Sequence, residues 1–327
     1  MNTFFKKCGI FLLLGLLISI RPVSAEQPLR RTTGAQLLDQ PPAAQDIDKT
    51  RLLRIITINV NLQTVADSHL IITPSGKTLL IDAGWPPPRD HAKVVLSFLK
   101  REGIRRIDQM MASHFHIDHF GAMPEILHSN EVTIGELLWS PLPLDKLEKL
   151  EPSEAKKTKD LEEKIRKECA EKNVPIKEIK TGDILDLEDG VTGRVLAAAE
   201  PDIETKNYIN NNSIVMRLAY KNFSMLFAGD AGFEEEKRIM SEHKDIVCDV
   251  LKIGHHAGAG STGEDWIKAV NAKVGVAPMP KYLSEDPRGL RVWNQLAPTS
   301  IKVYRTWEHG NIEINTDGNR FWILTEK

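Results

Sequence analysis

The run SHFHIDHFG at 113–121 constrains this chain more than any other part of it. Within six residues it offers four metal-binding side chains, His114, His116, Asp118 and His119. Imidazole and carboxylate are donors that a borderline-soft cation such as zinc accepts. An apolar stretch that reads as a strand, IDQMMA at 107–112, precedes the run, and a helix-like AMPEILHS follows Gly121. Donors spaced by two share one side of an extended chain, whereas a tight turn aims all four into one pocket. Packed this closely at the end of a buried strand, they would repel or desolvate one another without a cation. A cluster at a strand end that opens toward a helix is the usual place for a site in an α/β protein.

Apolar and β-branched segments recur along the rest of the chain. LRIITINV, SHLIITP and KTLLIDAG read as strands, the last two joined by a turn at Pro74-Ser75-Gly76. RDHAKVVLSFLKREG at 89–103 has the apolar spacing of an amphipathic helix. The stretch at 145–172 is dense in Lys and Glu, is broken by Pro152, and reads as a helical insert with a solvated face over the site or its edge. Strand patterns return from 183 and continue to the end, with helices at FEEEKRIMSE and GEDWIKAV. Two series of strands with helices between them predict two packed sheets with helices outside.

The first 25 residues read as a leader rather than as part of the fold. Lys6 and Lys7 precede the apolar GIFLLLGLLISI, and VSA at 23–25 supplies small residues for cleavage before Glu26. The apolar run is short for a membrane span, so membrane contact is expected only through this segment if it stays uncleaved. Export to a periplasm or the medium is the expectation. Residues 26–50 read as a flexible lead-in, and 51–327 as one large domain. Loss of Lys6, Lys7 and Arg21 with the leader moves the formal charge from −2 to −5, which does not support a tight nucleic-acid binder. Of three cysteines, Cys169 and Cys248 remain after cleavage; one bridge is open to them, though Cys248 in the apolar DIVCDVLKI reads rather as a buried free thiol, and a disulfide-built fold is not expected.

Two later strand ends add to the cluster. AGDAG places Asp230 after the apolar FSMLF, and KIGHHAGAGS places His255 and His256 after DIVCDVLKI. Asp82, at the end of TLLIDAG, reads as a carboxylate that orients a ligand histidine from behind. SHFHIDHFG, with LLIDAG before it and LFAGD and LKIGHH after it, resembles the metallo-β-lactamase superfamily, and more narrowly the branch with the hydrolase domain of the competence protein ComEC/Rec2. The resemblance implies a four-layer αββα sandwich and a hydrolase of esters, lactones, β-lactams, thioesters or phosphodiesters. It implies one or two divalent cations, zinc or manganese. His114 and His116 would hold the first, Asp118, His119 and His255 the second, and Asp230 would bridge them. His256 would then meet substrate or the leaving oxygen. The family pattern has a further first-metal histidine ahead of the SIVMRL strand, where this chain has Asn210, Asn211 and Asn212.

The expected chemistry follows from charge. Water bound to a divalent cation is acidified, so hydroxide forms near neutral pH and attacks an ester. Asp118 would ligate the metal and steer the water's proton. Asn212 and its neighbours would donate to a phosphate oxygen, with Arg305 and His309 as further donors. A phosphodiester is the favoured substrate, small or polymeric. Carboxylic esters, lactones and β-lactams are the second reading, and a binding module with a degraded metal site is the third.

Overall fold

The computed structural model describes residues 34–327 apart from 61–62 and 245. The leader at 1–25 and the first part of the lead-in therefore lie outside the described residues. In chain order the strands are β1 Gln36–Leu37, β2 Leu53–Thr57, β3 His69–Ile72, β4 Thr78–Ile81, β5 Arg106–Met111, β6 Thr133–Trp139, β7 Ile176–Glu178 and β8 Ile184–Asp186. They continue with β9 Val191–Ala197, β10 Val215–Tyr220, β11 Phe223–Phe227, β12 Val250–Lys252, β13 Val274–Ala277, β14 Lys302–Arg305, β15 Ile312–Thr316 and β16 Arg320–Thr325. The helices are α1 His91–Arg101, α2 Ile117–Phe120, α3 Met123–His128, α4 Leu144–Leu150, α5 Pro152–Lys172, α6 Phe233–Glu242, α7 Glu264–Val270, α8 Pro287–Leu296 and α9 Thr306–His309.

The strands form two sheets. One runs β1-β16-β15-β2-β3-β4-β5-β6-β7, and the other β14-β13-β12-β11-β10-β9-β8. Alternation decides how they stack. Ile55, Ile71, Leu79 and Ile81 of the first sheet share a core with Met216, Leu218, Met225 and Val274 of the second. Their neighbours Ile56, Leu70 and Leu80 turn the other way, onto Val95, Leu99, Ile126 and Ile165 of α1, α3 and α5. Across the second sheet, Leu226 and Leu251 meet Ile239 of α6 and Trp266 of α7. The result is an αββα sandwich. Each such buried aliphatic side chain contributes about 1.5–3 kcal/mol over its exposed state.

Both sheets change from antiparallel to parallel partway across. In the first, β4, β5 and β6 are parallel; in the second, β11, β12 and β13 are. Parallel neighbours end on the same side, so the carboxyl ends of β4, β5, β11 and β12 can supply one rim. The four motifs follow these four strands. A cross-sheet link, Ile214 N–H to the Ser113 carbonyl at 2.7 Å, holds the two rims together.

Several expectations change. The described part of the lead-in is not free: Gln36 N–H donates to Asn319 O and Leu38 N–H to Phe321 O, both at 2.8 Å. This satisfies the edge of β16, which would otherwise expose unpaired backbone groups. Cys169 and Cys248 are both buried free thiols, so the open bridge is not made. Helix α8 carries no sequence expectation. Asp286 caps it by accepting from Arg288 N–H, with Pro287 at its first turn. No helix of the described residues is long and apolar enough to cross a membrane.

Candidate metal centre

The motif after β5 is folded by its own backbone. His116 caps the short helix α2, and its carbonyl accepts from His119 N–H at 3.0 Å. The His119 carbonyl in turn accepts from Ala83 and Gly84, which locks the turn onto the end of β4. Across the cleft, His255 and His256 both adopt left-handed backbone, with φ of 49° and 51°, and Ala257 follows at 62°. Left-handed backbone costs a non-glycine residue about 1–2 kcal/mol. Three in succession mark a loop held in place by its surroundings. Glu236 holds it, accepting from Thr262 N–H and Gly263 N–H.

One set of donor atoms converges tightly. His119 Nε2 lies 3.3 Å from His256 Nε2 and 3.2 Å from Asp230 Oδ2. His256 Nε2 lies 3.4 Å from Asp230 Oδ2 and 3.3 Å from Asp118 Oδ2. A tetrahedral ion with bonds of about 2.0–2.1 Å has ligand–ligand edges of about 3.3 Å. The back of each ring is anchored. His119 Nδ1 is 2.8 Å from Asp82 Oδ2, and Asp82 also accepts from Ser113 N–H and its hydroxyl. His256 Nδ1 is 3.0 Å from the Pro278 carbonyl and 3.1 Å from Asp67 Oδ1. Because these partners accept, the Nδ1 atoms donate, and each Nε2 lone pair faces the centre.

The rest of the cluster is looser. His114 Nε2 is 3.9 Å from Asp230 Oδ2, is buried, and has no hydrogen-bond partner. His116 Nε2 is 3.7 Å from Glu151 Oε2. His255 is a third exposed, donates from Nδ1 to the Ala259 carbonyl at 2.9 Å, and holds Nε2 4.0 Å from Asp230.

Charge explains why the cluster needs a cation. Asp67, Asp82, Asp118 and Asp230 crowd the rings, and the buried Lys252 ammonium sits among them, bonded to Asp230 Oδ1 at 3.2 Å and to the Gly229 carbonyl at 2.6 Å. Burial disfavours the Lys252 ammonium, but Asp67 and Asp230 outweigh it and push its pKa up to about 12. Burial likewise opposes charge on Asp230, yet His119, His256 and Lys252 hold its carboxyl well below the usual range. Burial and the neighbouring His119 push His114 well below the ordinary histidine value, leaving a neutral ring suited to a metal. A divalent ion would supply the positive charge that these carboxylates draw from the rings. The orphaned His114 nitrogen and the tetrahedral spacings both fit such an ion.

Comparison with known proteins now decides the family. Residues 64–279 match the Metallo-beta-lactamase superfamily. The chain belongs to that superfamily. ComE operon protein 3 of Bacillus subtilis is 31% identical over 221 residues, 68% of this chain and 26% of that protein. Endoribonuclease ysh1 of Aspergillus fumigatus is 37% identical over 63 residues, 19% of this chain and 7% of that protein. Among solved structures, the metallo-beta-lactamase fold protein YhfI of Bacillus subtilis aligns with a TM-score of 0.48 at 13% identity, over 84% of this chain and 99% of that one. The chain spans about a quarter of the length of the first two curated relatives it matches. Membership places it among metal-dependent hydrolases.

Within this metallo-beta-lactamase site, His114, His116, Asp118, His119, Asp230 and Asp82 come together. The two adjacent histidines exchange their expected positions. His256, 2% exposed, turns its Nε2 into the donor set, and His255 stands on the cleft wall. Nearness to the strand end favours His255 in the sequence, but the two successive left-handed residues turn the His256 ring inward instead. Asn212 does not face a phosphate. Its amide accepts from Ile203 N–H and donates to the Ile203 and Tyr208 carbonyls, bracing the loop ahead of β10. Arg305 stacks on Trp293 and pairs with Glu308, while His309 folds onto the Arg305 backbone, so neither faces the cleft.

Asp67, Lys252 and Glu151 carry no sequence expectation. Lys252 leaves one trace, a lysine closing the apolar DIVCDVLK. The insert is also more than a solvated face. Thr158 donates to the Phe115 carbonyl, and Glu154 and Lys157 line a cleft of about 380 Å³ with Trp85, His116, Asp118, Asp230 and His255.

Proposed function

We propose that this chain is an exported phosphodiesterase that uses divalent cations, zinc or manganese, which Asp118, His119, His256 and Asp230 would hold, with His114 and His116 at a first position. The observation that carries this reading is that His256 Nε2 stands 3.3–3.4 Å from His119 Nε2, Asp118 Oδ2 and Asp230 Oδ2, with His119 Nε2 3.2 Å from Asp230 Oδ2, around buried, anchored rings. Bound cations would acidify water and offset the charge that grows on an ester oxygen.

The chain's own groups do the rest. Asp82 and Asp67 hold protons on the Nδ1 atoms of His119 and His256, so neither ring can swing or change tautomer. Lys252 balances Asp230 through Oδ1, the oxygen not turned to the rings. Lys157 offers positive charge to an anionic substrate, and Trp85 gives the cleft an aromatic wall. Those groups, and the local likeness to endoribonucleases, support a phosphodiester over a neutral ester. The negative balance of the chain supports a small or loosely held substrate over tight binding to a nucleic-acid polymer. Export rests on the leader pattern at 1–25.

The test is a substrate panel on zinc- and manganese-loaded protein: bis-p-nitrophenyl phosphate, a lactone and nitrocefin. Turnover of the phosphodiester is expected, falling at least about a hundredfold in Asp118→Asn and His116→Ala. Turnover of the lactone or nitrocefin alone would reassign the substrate. No turnover on any of them, with no thermal stabilisation by either metal, would remove the enzyme reading.

A further inference from the structure

We propose that Glu151 supplies the carboxylate that completes the first cation position, in place of the histidine that the asparagine turn lacks. The inference rests on the metal-dependent reading above and adds a ligand to it.

The first position has unused donors. His114 Nε2 is buried, its side chain 1% exposed, and it has no hydrogen-bond partner. The ring of His116 stands nearly perpendicular to that of His114, at 86°, with centroids 5.1 Å apart. Two imidazoles and Asp230 would leave an ion there short of a fourth protein donor. Asn211 and Asn212 do not make up the difference, because they spend their amides on the surrounding loops. Asn211 donates to Thr205 and Glu234, and Asn212 grips Ile203 and Tyr208.

Glu151 brings a carboxylate to the His116 side of this gap. Its Oε2 lies 3.7 Å from His116 Nε2, close to a ligand–ligand edge. Its other oxygen, Oε1, accepts from Ile209 N–H at 3.1 Å, beside the asparagine turn. Its backbone is fixed as well: its N–H donates to Leu147 O, and its carbonyl accepts from Glu154 and Ala155 at the start of α5. The side chain is 12% exposed. A carboxylate held at one oxygen and at its backbone, with the second oxygen turned to an imidazole, is already oriented as a ligand. The insert at 145–172 would therefore have brought its own donor to the site.

Exchanging imidazole for carboxylate changes which ion the position prefers. Two carboxylates and two imidazoles form a harder donor set than three imidazoles and one carboxylate, and carboxylate donors suit manganese. The first position should therefore take manganese readily and release zinc more easily than its neighbour does.

The test counts metal on the full chain by equilibrium dialysis and elemental analysis, and reads manganese coupling by electron paramagnetic resonance. Wild type is expected to bind two manganese ions with a coupled spectrum. Glu151→Gln should hold one and give the six-line spectrum of an isolated ion. Glu151→His should hold two, with the first position shifted toward zinc. Glu148→Gln, an exposed glutamate one helix turn earlier, should match wild type. Two coupled ions in Glu151→Gln would overturn the proposal. If Glu151→Gln fails to fold, Glu151→His decides alone: no shift toward zinc would overturn it. Wild type binding a single ion through Asp118, His119 and His256 would overturn it while leaving the hydrolase reading intact. Wild type binding none would overturn both.

Discussion

The two halves of the metal centre are built to different standards. On one side, His119 and His256 are each held from behind by a carboxylate, and their Nε2 atoms sit at ligand spacing from Asp118 and Asp230. On the other, His114 and His116 present nitrogens at 3.7–3.9 Å from their nearest carboxylates, and the backing of His114 is a serine hydroxyl. The tight half is assembled from strand ends of both sheets, whose positions the cores on either side fix. The loose half borrows Glu151 from the junction between α4 and α5. A site anchored on strands is pre-organised, and one completed by an added segment adjusts to its occupant. A single constellation can thus combine a position fixed by the sheets with one completed by an insert.

The largest effect should come from the charge beneath the tight half. Lys252→Met leaves Asp67 and Asp230 buried without their cation. Loss of one partner from a buried ion pair is expected to lower stability by about 3–5 kcal/mol. Urea unfolding of the metal-free protein checks this, and saturating zinc should recover part of the loss by neutralising Asp230. An unchanged midpoint would show that Lys252 is not needed to balance that half. A smaller contrast separates the adjacent histidines. His256→Ala should lower turnover at least about a hundredfold, His255→Ala by less than about tenfold. Equal losses in steady-state assays would break the distinction between a ring inside the donor set and one on the wall.

Much of this was legible in the sequence, for reasons that can be named. The HxHxDH spacing, Asp230 and Asp82 sit directly after apolar runs, so periodicity alone places them at strand ends. Both sheets and the insert's helices follow from the same patterning. The parts that were not legible depend on long-range partners. Asp67 lies in an irregular stretch before β3, and only folding brings it to His256 and Lys252. Glu151 is one acid among many in a charged run. Asn212 looked available to substrate because sequence does not show that a loop at 203–208 consumes its amide. Helix α8 hides behind an internal Gly289 and a short apolar face that buries only Val292 and Leu296 beside it.

A divalent ion in the tight half is what the hydrolase chemistry requires. Anomalous X-ray scattering at the zinc edge, from crystals of zinc-loaded protein, tests this most directly. The expected result is a peak bonded to Asp118, His119, His256 and Asp230 at about 2.0–2.2 Å. A zinc-saturated crystal with no peak among those four side chains, or with its zinc bound elsewhere, would contradict it.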